Sequence, residues 1–129
     1  MSNKEQHVPS LELSKKLYEL GVRKKSVFYW AKLYSDEYEI VQDGELISDA
    51  PIDYYSVGKN DYPAYLASEL GEMLPLWCNI ETWDANFKYH GYYKKEKSFF
   101  DDNVSNLIAK MLIWLIEQGH VKVEDTNNA

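Results

Sequence analysis

The chain holds one cysteine, Cys78, and three histidines, His7, His90 and His120. A thiolate beside an imidazole would be the smallest nucleophilic site available to it. Cys78 stands between Trp77 and Asn79 in an expected strand, and no helix N-terminus precedes it to lower its pKa, so it reads as a core thiol. His7 lies near the start and His90 in another expected strand. His120 follows a helix, where an imidazolium suits the C-terminal dipole. A single cysteine excludes an intramolecular disulfide and a cysteine-rich metal site. No His-x-His, Cys-x-x-Cys or His-Glu-x-x-His spacing occurs, and the six glycines form no phosphate loop. Asp36, Glu37, Glu39, Asp43 and Glu45 lack the spacing of a calcium loop. Glu37 and Glu39 would share one face of a strand, which is also the pattern of a solvated surface. Paired carboxylates for glycosidic chemistry stay open, because such partners are distant in sequence. The reading is of no catalytic residue, no metal and no cofactor.

Charge is sorted along the chain. Residues 34–85 carry twelve carboxylates and one basic side chain, Lys59. Residues 1–33 carry seven Lys or Arg against three Glu, and from residue 86 the signs balance, six against six. A one-signed surface sets a long-range field that selects partners. The acidic balance runs against nucleic-acid binding, which calls for a basic footprint. Arg23, Lys24 and Lys25, with Lys15 and Lys16, do form a small basic patch near Phe28, Tyr29 and Trp30. Those aromatics read as sheet core instead of a stacking platform. The longest apolar run is six residues, 111–116, against about 20 for a membrane span. With no apolar stretch at the start to serve as a signal peptide, the expectation is a cytoplasmic protein without membrane contact.

The elements that must position these residues follow from periodicity. The length suits one domain, and eleven Tyr, four Trp and four Phe favour a substantial sheet. Residues 1–9 read as a flexible tail, 10–120 as one globular α+β domain, and 121–129 as a second flexible tail. Ser10 caps a helix with Leu13, Leu17 and Leu20 in one stripe, and Gly21 ends it. Residues 26–33 read as a strand buried on both faces, and 38–42 as its successor. Asp43-Gly44 signals a hairpin to a third strand at 45–48. Residues 49–61 form the one long irregular stretch, with Tyr54 and Tyr55 at its centre. A second helix starts near Pro63, carrying Leu66, Leu70, Met73 and Leu74, and Pro75 stops it. Two strands follow at 77–84 and 86–93, with a bulge or bend at His90-Gly91. A brief edge strand is expected at 98–100. Asp101 or Asp102 caps a last helix, with Val104, Leu107, Ile108, Met111, Leu112 and Leu115 at helical spacing. Together this predicts three helices packed on an antiparallel sheet of about five or six short strands.

Three blocks resemble landmarks of a family of small uncharacterised proteins encoded by bacteriophages, prophages and other bacterial mobile elements. One is Ser10-Leu11-Glu12-Leu13-Ser14-Lys15-Lys16-Leu17, continuing through Leu20-Gly21-Val22 to Ser26-Val27-Phe28-Tyr29-Trp30. The second is Glu69-Leu70-Gly71-Glu72-Met73-Leu74-Pro75. The third is Ala109-Lys110-Met111-Leu112-Ile113-Trp114-Leu115-Ile116-Glu117-Gln118-Gly119. They span residues 10–119, and residues 48–62 depart most from the pattern. The resemblance implies a shared fold and a phage- or prophage-derived setting in a bacterial host. It implies no activity and no site.

Two features point to protein contact. Ile113 lies about 140° round its helix from Ile108. Either that helix is sandwiched within the fold, or its outer side meets a second copy in a homodimer. Tyr54 and Tyr55, set among Asp49, Asp53 and Asp61, make contact anchors if exposed, and one of them pins the loop if buried. The leading expectation is a non-enzymatic protein that binds an as yet unknown protein partner through Asp49, Asp53, Tyr54, Tyr55, Asp61 and Ile113. The alternatives are an acidic DNA mimic that blocks a host DNA-binding protein, and a small enzyme whose site assembles only in space.

Overall fold

The computed structural model describes residues 3–82 and 89–129. The fold is mixed α+β, and the strands among the described residues form three small antiparallel sheets in place of the single sheet expected. A 3-10 turn at Asn3–Gln6 leads into α1 (Leu11–Leu20). Five strands follow: β1 (Phe28–Ala31), β2 (Glu39–Gln42), β3 (Leu46–Asp49), β4 (Ile52–Tyr54) and β5 (Tyr62–Ala64). Then come α2 (Ala67–Gly71), β6 (Cys78–Thr82), β7 (Tyr89–Tyr93), β8 (Lys97–Asp101), α3 (Val104–Glu117) and α4 (Val123–Asn127). The sheets run β2-β1-β5, β3-β4 and β6-β7-β8.

Local signals act where expected at α1. Ser10 Oγ accepts from Leu13 N, and Gly21 takes φ 106° at the C-cap. At α3 the cap is Asn103, whose side chain accepts from Ser105 N and Asn106 N. Asp101 belongs instead to β8 and accepts from Asn103 N at 2.9 Å. Its carboxyl is held below the usual range: burial pushes it up, but Lys110 at 2.7 Å and the Asn103 amide outweigh that.

The Asp43-Gly44 turn forms, with Glu45 N donating to Gln42 O, but it does not make a β2–β3 hairpin. β2 pairs with β1 and β3 with β4. The reason lies in the backbone just past the turn. Gly44 N donates to Tyr55 O and Tyr55 N to Glu45 O, so the chain leaving the turn pairs with the start of the supposed loop. Pro63 sits in edge strand β5 opposite Tyr29, not in a helix. An edge tolerates its missing N–H, and this shortens α2 to Ala67–Gly71.

α3 lies between α1 and α2 on one side and β7 and β8 on the other. Leu17, Tyr65, Leu70, Ile108, Leu112 and Ile113 share the core on the helical side. On the sheet side Trp114 meets Phe99 and Tyr93. Gly91 keeps regular register with Ile80 and Phe99, so no bulge forms there. What the glycine supplies is space, because a Cβ would overlap Met111 Sδ. The turn expected between β6 and β7 falls on residues 83–88, outside the described residues.

Neither end of the described chain is a free tail. Val8 is 1% exposed, Trp30 Nε1 donates to Pro9 O, Ser105 Oγ donates to His7 O, and Asn103 Nδ2 lies within reach of Glu5 O and Val8 O. At the other end α4 packs Val123 against Gly21, and Asn127 accepts from Arg23 N and donates to Gly21 O. The bond to Gly21 O satisfies a carbonyl at the C-cap of α1, where a helix leaves such groups open. The polar composition of residues 121–129 hid that one helical face.

Candidate functional site

The expected irregular stretch is largely built. Residues 49–61 contain the second strand of the β3–β4 hairpin, followed by an extended run and a turn at residues 58–61. A two-stranded hairpin is marginal alone, and its base is where it is held. Tyr55 is 5% exposed and packs with Tyr29, Ala31 and Val41. Its hydroxyl donates to Asp61 Oδ2, and the same oxygen accepts from Gly58 N at 2.7 Å. Burial, then the adjacent Asp61 carboxylate, drives the Tyr55 hydroxyl well above the usual phenol range, so it stays a proton donor.

Beyond that base the hairpin faces solvent. All three residues of β4 are exposed, with Ile52 at 70% and Tyr54 at 59%. Ile52 and Tyr54 lie on one face of the strand and Asp53 on the other. Tyr34, also 70% exposed, donates its hydroxyl to Asp53 Oδ2 at 3.2 Å. Between the hairpin, the end of β1 and the 58–61 turn lies a cavity of about 470 Å³. Its walls include Tyr34, Tyr38, Tyr54, Tyr55, Asp53 and Asp61. A second cavity of about 420 Å³ lies across the same turn, where Gly58 and Asp61 form a shared wall with Tyr18, Arg23 and Lys25.

The structure therefore brings Asp53, Tyr54, Tyr55 and Asp61 to one place and gives the two tyrosines opposite roles. Asp49 is exposed at the end of β3 and does not line the cavity. Ile113 is 8% exposed within the helical core, so α3 is a sandwiched helix and Ile113 offers no outer contact for a homodimer. Tyr34, Tyr38 and Ile52 escaped the sequence reading. Tyr34 and Tyr38 flank a turn, and only the packing of that turn against β4 makes them neighbours of Tyr54.

The other chemistry-bearing residues do not converge on this site. In the ladder Cys78 faces Tyr93 and His90 faces Glu81, three positions apart, or roughly 10 Å by strand rise. His90 Nδ1 lies 3.0 Å from Glu81 Oε1 and its ring stacks on Phe100. His120 packs against Tyr93 and Trp114, with Glu96 at 3.6 Å. Neither cavity is lined by Cys78 or His90. Burial pushes the Cys78 thiol up to about 11 from 9.0, which leaves about a hundredfold less thiolate at neutral pH. Native protein should thus react with iodoacetamide about a hundredfold more slowly at pH 7 than urea-unfolded protein, the gap closing as pH rises. Equal rates at pH 7 would show that the thiol is not shielded.

Of the basic patch, Lys16 pairs with Glu117 and Lys24 with Glu72. Tyr29 and Trp30 beside it are buried. Among the described residues no group of three or more His, Cys, Asp or Glu is arranged to hold a metal ion. Nor is any helix among them long and apolar enough to cross a membrane. No known protein family, curated protein or solved structure matches the chain.

Proposed function

We propose that this chain is a non-enzymatic accessory protein of phage or prophage origin. In this reading it acts in the cytoplasm of a bacterial host by binding another protein through the β3–β4 hairpin. One observation carries the proposal: β4 presents Ile52 and Tyr54 to solvent from a hairpin whose base is locked by Tyr55. An anchored tip with exposed tyrosine and aliphatic side chains loses little entropy on binding. Fully burying one such side chain is worth about 1.5–3 kcal/mol before those costs. The acids on the hairpin itself, Asp49 and Asp53, are both exposed and favour a partner with a basic surface. The three sequence blocks that resemble phage and prophage proteins support the setting.

The DNA-mimic reading is weaker, because a mimic needs its carboxylates free and on one face. Several are engaged within the chain itself, among them Glu45 with Lys4 and Gln42 N, Asp61 with Tyr55 and Gly58, and Glu69 with residues 26, 27 and 66. Glu72 and Glu81 sit on α2's end and on β6.

The test is affinity capture from host lysate with wild type and with an Ile52→Asp/Tyr54→Ala variant, both verified as folded. A partner held by wild type and lost with the variant is expected. A partner held equally by both, or none held by either, would overturn the proposal.

A further inference from the structure

The cavity beside the hairpin has a definite chemistry, and it deepens the binding reading on which it rests. We infer that it takes an arginine side chain of the partner, with the guanidinium between the tyrosine faces and the carboxylates of Asp53 and Asp61.

Four observations carry this. The cavity, about 470 Å³, has room for a long side chain and is lined by Tyr34, Tyr38, Tyr54 and Tyr55. Tyrosine faces attract cations, and a planar guanidinium stacks on them better than an ammonium does. The two carboxylates are already fixed by hydrogen bonds. Asp53 Oδ2 accepts from Tyr34 and Asp61 Oδ2 from Tyr55 and Gly58, while no described residue donates to either Oδ1. Such an oxygen accepts a charge-assisted hydrogen bond at no cost in reorientation. The chain already seats its own cations on rings at this end of the molecule. Lys15 and Lys32 place their ammonium groups 5.2 and 5.1 Å from the Tyr38 centroid, and the Arg23 guanidinium lies 3.8 Å from that of Tyr18.

The surrounding field decides the sign of the ligand. Lys32 and Lys59 also line the cavity, but the ammonium of Lys32 rests on Tyr38. Across residues 32–61, the span that lines the cavity, eight carboxylates stand against two basic residues, Lys32 and Lys59. A cationic side chain is drawn in and an anionic one repelled. The exposed faces of Tyr34 and Tyr54 are the ones left for it.

The test is an NMR titration of the intact chain with Nα-acetyl-arginine amide, its lysine analogue and its norleucine analogue. Saturable shifts at the backbone amides of Tyr34, Asp53 and Tyr54 are expected with the arginine compound, at a dissociation constant on the order of 1 mM for so small a ligand. The lysine compound should bind more weakly, and norleucine should not saturate. Asp53→Asn keeps the acceptor for Tyr34 and removes the charge, and it should weaken arginine binding about fivefold. Absence of saturation with arginine, equal binding of norleucine, or an unchanged affinity in Asp53→Asn would each overturn the assignment. If the hairpin variant loses its captured partner while arginine gives no shift, the anchor is wrong and the binding surface stands. If arginine saturates the cavity but capture never depends on Ile52 and Tyr54, the proposed binding surface fails and the cavity assignment survives.

Discussion

Glu69→Ala is expected to cost about 1–3 kcal/mol of folding stability, because it takes the acceptor from two backbone amides at once. Glu69 Oε1 accepts from Leu66 N and from Ser26 Oγ, both at 2.8 Å, and Oε2 accepts from Val27 N at 3.2 Å. One carboxylate thus ties the start of α2 to the chain entering β1, and Ser26 is buried. Glutamate three positions after the first capping residue is the familiar half of a capping box. Here it also reaches across to a segment 43 residues earlier. Removal takes the acceptor from the Leu66 and Val27 amides, while Ser26 Oγ still reaches Ala64 O at 3.2 Å. Against a typical total of about 5–15 kcal/mol that is a large share. Urea denaturation should show a lower midpoint with an unchanged slope. Glu69→Gln should fall between wild type and alanine, because its amide nitrogen meets a donor where the second oxygen met one. A loss below about 0.5 kcal/mol for the alanine variant, in the range of an ordinary surface change, would contradict this account.

Gly91→Ala should destabilise by about 1–3 kcal/mol, the usual cost of forcing extra volume into a packed core. The new methyl group would overlap Met111 Sδ and press on Leu107, and both those side chains are fully buried. The informative version is a double-mutant cycle. Met111→Ala alone should cost about 2–5 kcal/mol. In the Gly91→Ala/Met111→Ala pair the methyl group enters the space the methionine leaves, so the pair should lose less than the sum of the single changes. Strict additivity would mean that the contact between β7 and α3 is not what demands glycine.

Legibility in the sequence followed the range of the forces. Ser10 and Gly21 bound α1 because cap and stop act within one turn of chain. The α3 stripe, read from spacing, does pack inward. β1 was legible as a strand buried on both sides, and Trp30 does face Val8 and Ile40 while Tyr29 faces Val41 and Tyr55. Pairing was not legible. Asp43-Gly44 is a turn signal, but which strand lies across from it depends on whether residues 54–55 offer a better ladder than residues 39–42. The N-cap of α3 moved to Asn103 for a similar reason, since β8 claims Asp101.

The candidate site shows the same division. Residue types and spacing alone marked residues 49–61 and the pair Tyr54 and Tyr55, because acids and adjacent tyrosines in a Pro- and Gly-bearing stretch can be read one residue at a time. Only tertiary structure decided that Tyr55 is the anchor and Tyr54 the exposed face, since successive strand side chains point opposite ways and the core side is set by Tyr29 and Val41 across the sheets. Only tertiary structure brought Tyr34 to Asp53, across 19 residues, to close the cavity. Local propensity and periodicity are written in neighbouring residues. Which surfaces meet is settled by the packing of all the elements together, and that carries no signature at any one position.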